Sequence, residues 1–123
     1  MIEKRKIDYI INEFKLEKAS KREQITSETK KFWVASERKK SLIEYISNLE
    51  TEELFDLVGL MLYGRELVHY NMNVDHVLSF SSLRNDYKIN NKDTKPSYIA
   101  NYLLGKEPLD QYLSAAVSII NLE

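Results

Sequence analysis

The chain has no cysteine, which removes disulfide frameworks, thiolate metal sites and cysteine nucleophiles together. That absence suits a reducing cytoplasm, the location expected here. The amino-terminal MIEKRK runs into mixed polar residues, so no apolar signal region is read there either. Glycine is scarce, with three residues, and so is proline, with two. Few points therefore force a helix to stop. No run of alternating apolar and polar residues is long enough to predict a strand. No apolar run approaches the roughly 20 residues needed to cross a bilayer, so no membrane partner is expected. The net charge is −1, which supplies no basic excess for phosphate backbones, and no nucleic-acid partner is expected. A length of 123 residues fits one domain, 1–123, and is enough to bury a core without disulfides or metal.

What is present is a helix-forming sequence organised around Thr51 to Glu66, TEELFDLVGLMLYGRE. Thr51 has the hydroxyl of a helix N-cap, and Glu52, Glu53 and Asp56 place negative charge at the positive end of the helix dipole. Leu54, Phe55, Leu57, Val58, Leu60, Met61, Leu62 and Tyr63 then leave almost no polar stripe, and a helix apolar nearly all round is buried. The expectation is a central core helix over 52–63, stopped by Gly64 in a left-handed C-cap. Gly59, inside that helix, costs on the order of 1 kcal/mol relative to alanine. Close approach of a neighbouring helix is the expected reason for it.

Amphipathic segments surround this stretch. Ile7, Ile10, Ile11 and Phe14 share one face of a first helix, Ile2 to about Lys18. Residues 19–31 are polar and read as a linker or frayed connection. Phe32, Ala35, Leu42, Tyr45, Ile46 and Leu49 recur at helical spacing, which predicts a second helix from about Phe32 to Asn48. Asn73 is placed as the cap of a fourth helix, Val74 to about Asp86, with Val77, Leu78, Leu83 and, in part, Phe80 turned inward. YKINNKDTK, 87–95, reads as a loop. Pro96 suits the first turn of a helix that carries Tyr98, Ile99, Tyr102 and Leu103 to Gly105. Pro108 opens a last helix with Leu109, Leu113 and Ala116 on its apolar side. The predicted architecture is all-α, one compact domain of about six helices around the buried central helix.

Two stretches, Leu60-Met61-Leu62-Tyr63-Gly64-Arg65 and Tyr102-Leu103-Leu104-Gly105-Lys106-Glu107-Pro108-Leu109-Asp110-Gln111-Tyr112-Leu113, resemble the bacterial family catalogued as domain of unknown function 3775. An isoleucine-rich first helix and a variable linker extend the resemblance over most of the chain. Tyr63 stands where the family pattern usually has leucine, Glu66 where it has a second glycine, and Glu107 is an extra residue. The resemblance implies a small helical fold and no particular activity.

Residues for chemistry are few. His69 and His76, with Glu66 and Asp75 nearby, are seven apart rather than at the i, i+4 spacing of two ligands on one helix face. No metal, cofactor or catalytic residue is predicted. Gly59 and Gly64 have the glycine spacing of a P-loop, but Arg65-Glu66 replaces the required Lys-Ser/Thr. Phe32 and Trp33 could stack bases while the lysines around them neutralise phosphates, but glutamates among them weaken the field.

Charge and tyrosine distribution point elsewhere. Residues 1–50 hold 12 Lys and Arg against 9 Asp and Glu; residues 51–123 hold 6 against 10. Most of the eight tyrosines fall in the acidic part, and tyrosine is enriched at interfaces. The expected function is a non-enzymatic protein-binding domain, in particular an immunity protein or antitoxin covering the basic active site of a nuclease-type toxin. The expected partner-binding residues are Glu52, Glu53, Glu66, Tyr70, Asp75 and Asp110. The alternative is a small-ligand or regulatory helical module in which Arg65 holds an anion.

Overall fold

A computed structural model of the chain describes the backbone of residues 1–24 and 29–120, with side chains described for 1–19 and 37–120. It is all-α. The described residues form six α-helices and no strand: α1 (Lys4–Gln24), α2 (Thr29–Ser47), α3 (Thr51–His69), α4 (Phe80–Asn90), α5 (Pro96–Leu104) and α6 (Leu109–Ile119). One 3-10 turn, Val74–His76, precedes α4.

α3 is the axis of the domain, as its composition requires. Leu57, Val58, Leu60, Met61 and Leu67 are fully buried, and burying such a side chain is worth roughly 1.5–3 kcal/mol. α6 and α4 pack most extensively on it, α5 adds a smaller contact, α1 pairs with α2, and α1 and α2 reach α6 and α5 respectively. The core continues through Ile7 and Ile10 of α1, Leu42 and Ile46 of α2, Ile99 and Leu103 of α5, and Leu109 and Leu113 of α6.

α3 is longer than expected, and Gly64 is not its stop. A Cβ on Gly64 would lie 1.7 Å from the carbonyl oxygen of Tyr112, so the glycine lets the backbone of α6 lie directly against α3. The helix ends five residues later, at His69. Asn71 takes φ 53°; its N–H donates to the carbonyl of Val68, and the N–H of Met72 donates to that of Leu67. These are the two bonds of a Schellman cap with asparagine in the left-handed position. At the other end Glu50, not Thr51, is the N-cap, and its N–H donates to Glu53 Oε1 at 3.1 Å. Gly59 behaves as expected: a Cβ there would be 2.7 Å from Cβ of Arg84 and 2.8 Å from the ring of Phe80.

Four further boundaries move. The polar segment 19–31 is helical except at 25–28, which lie outside the described residues, because α1 runs on to Gln24 and α2 begins at Thr29. The side chains of Phe32 and Ala35 also lie outside the described residues. Asn73 caps only the 3-10 turn, accepting from Asp75 N–H at 3.1 Å. α4 instead starts at Phe80 with Ser79 as its cap, accepting from Ser82 N–H. α4 then takes in Tyr87 to Asn90 from the predicted loop, because these residues have partners: Tyr87 stacks on Tyr102 at 5.5 Å and Lys88 bonds Glu52. Leu78, predicted to face inward, is 61% exposed.

Candidate protein-docking surface

The acidic residues singled out in the sequence do not form one face. Glu52 and Glu53 lie at the start of α3 and Glu66 in its last turns, roughly 20 Å apart at about 1.5 Å rise per residue. The first two are engaged within the chain. Glu52 accepts from Lys88 Nζ and from Arg84 Nη2, each at 2.6 Å, and Glu53 accepts from Lys6 Nζ at 2.6 Å. These bonds hold both carboxyls below the usual carboxylate value, Glu52 through Lys88 and then Arg84, and Glu53 through Lys6.

Asp56, next in the same helix, is buried and ties three parts of the chain together. Its carboxylate accepts from the Ile2 N–H at 2.8 Å and from Arg84 Nε at 2.6 Å. Burial lowers the pKa of the Arg84 guanidinium, but hydrogen bonds to Asp56 and Glu52 outweigh that and leave it raised. Asp110, also expected to meet a partner, is buried at the start of α6. Its Oδ1 has no hydrogen bond and lies 3.6 Å from Lys18 Nζ, an ion pair longer than a hydrogen bond. It is a structural group of the α1–α6 contact and does not reach the surface.

The other candidates lie together at the far end of α3. Tyr70 is 42% exposed; its ring meets that of His69 edge-on at 4.8 Å and stacks on His76 at 6.2 Å with 20° between planes. That stack folds the 3-10 turn, with Asp75, back over the end of α3. Glu66 and Arg65 are half-buried, one turn before Tyr70 and His69 on the same sides of the helix. Neither makes an ion pair or hydrogen bond among the described residues.

Around Tyr70 the surface is apolar. Val68, Tyr70, Met72, Val74 and Leu78 are all between 40% and 61% exposed within eleven residues. A connection between helices that displays five large apolar side chains is the unusual feature of this molecule, because apolar residues clustered at the surface mark interaction sites. Sequence reasoning found Tyr70 and Asp75 here but missed Val68, Met72, Val74 and Leu78. The available signal was apolar content in a stretch that Asn71 and Asn73 marked as a connection.

Among the described residues no group of three or more His, Asp or Glu is placed to hold a metal ion, and no helix is long and apolar enough to cross a membrane. No family model, curated protein or solved structure matches the chain.

Proposed function

We propose that the chain is a non-enzymatic, cytoplasmic protein-binding module whose docking surface is the capped end of α3 and the turn that follows it. One observation carries this reading: five large apolar side chains exposed within residues 68–78. A Schellman cap and an aromatic stack hold them in place, so little conformational entropy is lost when a partner covers them. The particular form we propose is an immunity protein or antitoxin against a nuclease-type toxin. Glu66 and Asp75 near Tyr70, with Arg65 as an opposing charge, support it by setting a mildly acidic rim around an aromatic anchor.

The test is photo-crosslinking in cells from a reactive residue at Met72, with Ile89 on α4, also exposed, as control. A protein captured at Met72 and not at Ile89 is expected. Expressed alone it arrests growth, and co-expression of this chain restores growth while Leu78→Asp does not. Equal capture at both positions refutes the surface, and a harmless partner refutes the toxin-neutralising form.

We also propose membership in the domain of unknown function 3775 family. Its support is that the two resembling stretches are one packed unit, with Gly64 against the Tyr112 backbone. The second functional reading, an anion held by Arg65, has in its favour that Arg65 is half-buried and unpaired. Thermal stabilisation by inorganic phosphate, lost in Arg65→Ala, tests it.

A further inference from the structure

The exposed stretch 68–78 has a size and a charge pattern that define one occupant. Five large apolar residues at exposures of 40–61% leave on the order of 400 Å² of surface. That is the scale of the largest patch on a typical monomer. Next to it, on the exposed side of the last turns of α3, Arg65 and Glu66 stand side by side. The other half-buried charged side chains of the described residues, Lys39 excepted, have an ion pair or a ring contact: Lys6 with Glu53, Arg38 with Glu13, Lys18 with Asp110, Arg84 with Glu52 and Asp56, Lys88 with Glu52, Lys106 over Tyr102.

An apolar stretch with one unpaired positive and one unpaired negative charge in the helical turn before it has the charges to pair with a second copy of itself. Across a two-fold axis near Tyr70, Arg65 meets Glu66 of the second copy and Glu66 meets its Arg65, while the apolar side chains cover one another. That is the requirement of an isologous interface. Asp75 adds a single excess charge per copy, and the chain as a whole carries only −1, so little repulsion opposes the approach.

We infer that a second copy of this chain covers the Val68–Leu78 surface, in a weak symmetric dimer with reciprocal Arg65–Glu66 pairs. This rests on the reading of that surface as a docking site. Two patches face to face bury about 800 Å² of apolar area, or roughly 1,000 Å² with the polar rim, the low end for a specific interface. The dimer is therefore reversible. Occupancy by a second copy and by another protein exclude each other, so self-association sets how much of the docking surface is free.

Sedimentation velocity of the full chain tests this from about 10 µM to about 1 mM, the range in which a weak, reversible dimer forms. The weight-average sedimentation coefficient is expected to rise toward that of a dimer. Leu78→Asp stays monomeric, and Ile89→Asp, an equally exposed apolar position outside the patch, still dimerises. Arg65→Glu and Glu66→Arg each weaken association about tenfold by turning two attractive pairs repulsive, and the double exchange restores it. Circular dichroism confirms that each variant is folded.

A wild-type chain that remains monomeric throughout overturns the inference. The docking surface itself then stands or falls on the Met72 crosslink. A dimer that survives Leu78→Asp, or one lost equally in Ile89→Asp, overturns the placement. Failure of the double exchange to restore association overturns the reciprocal pairing.

Discussion

Gly64→Ala tests the contact on which the architecture depends most. A methyl group at Gly64 would sit 1.7 Å from Tyr112 O, 2.5 Å from its carbonyl carbon and 3.0 Å from its Cα. All three are backbone atoms, so no rotamer change can clear them. Either α6 retreats by about 1.5 Å or α3 bends, and overpacking of this kind costs about 1–3 kcal/mol, occasionally more. α6 carries Leu109, Leu113 and Ala116, all fully buried, so its retreat also opens gaps beside them. Against this, alanine gains up to about 1 kcal/mol over glycine inside a helix. A 1.7 Å clash with a backbone atom puts the steric cost above that range, at about 4 kcal/mol, so the expected net loss is about 3 kcal/mol, a Tm lower by about 10 °C for a chain of this size.

Urea denaturation followed by far-UV circular dichroism reads the loss as a lower midpoint at unchanged slope. The other two glycines set the scale. At Gly59 the nearest obstacles are Arg84 Cβ, which moves only with the α4 backbone, and the edge of the Phe80 ring, which can swing aside, and no backbone atom lies closer than 3.2 Å, so Gly59→Ala loses about 1–2 kcal/mol. At Gly105 nothing lies closer than 3.4 Å and φ is −79°, so Gly105→Ala is neutral or stabilising by up to about 1 kcal/mol. The order Gly64, Gly59, Gly105 is the prediction. A Gly64→Ala variant as stable as wild type would refute the close approach of α6 and with it the helix arrangement.

Three further outcomes follow from the polar contacts and the cap. Asn71→Gly raises stability by up to about 1 kcal/mol, because glycine takes a positive φ without steric cost, whereas Asn71→Val lowers it; thermal melts read both. Asp56→Ala loses about 3 kcal/mol by leaving the Ile2 N–H and the Arg84 Nε–H without an acceptor, the guanidinium, 17% exposed, keeping only Glu52, and Arg84→Met in the same chain recovers part of it; a double-mutant cycle measures the coupling. Glu52 and Glu53 have carboxyls held below the usual 4.5, so the folded state binds fewer protons than the unfolded one. Their contribution is complete above pH 4.5 and is lost as pH falls through the lowered values. Glu53→Gln is therefore less stable than wild type at neutral pH, and the gap closes below pH 4.5. A gap constant from pH 7 to pH 3 would refute the Lys6–Glu53 contribution.

Helix content was legible because the apolar spacing of α1, α3, α5 and α6 is strong enough to stand without tertiary information. Gly64 was misread for a physical reason: a glycine after an apolar helix serves equally as a stop or as a contact, and only the position of Tyr112, 48 residues away in sequence, decides which. Residues 87–90 were placed in a loop because Asn90 and Asn91 dominate local propensity, yet Tyr87 and Lys88 have partners on α5 and α3 that override it. The candidate surface was half legible. Tyr70 and Asp75 were identified from composition, but Glu52 and Glu53 look free in sequence and are paired in space. Leu78 fits a helical core pattern on paper and is exposed because α4 begins two residues after it.

The distribution of polar contacts along α3 explains why the docking surface is where it is. Its first turns carry the long-range hydrogen bonds and ion pairs: Glu52, Glu53 and Asp56 reach α1, α4 and the segment at Ile2. Its middle carries the two close approaches, Gly59 to α4 and Gly64 to α6. Its last turns carry neither, and Arg65, Glu66 and Tyr70 are left to face outward. A protein that covers the C-terminal end of α3 therefore displaces none of the contacts that hold the fold together, and the affinity of that surface can change without loss of stability. Leu78→Asp should accordingly keep the wild-type denaturation midpoint while abolishing association, whereas Asp56→Ala should lower the midpoint. A Leu78→Asp variant that unfolds as readily as Asp56→Ala would mean that the stretch 68–78 is part of the structural core and not a surface kept for a partner.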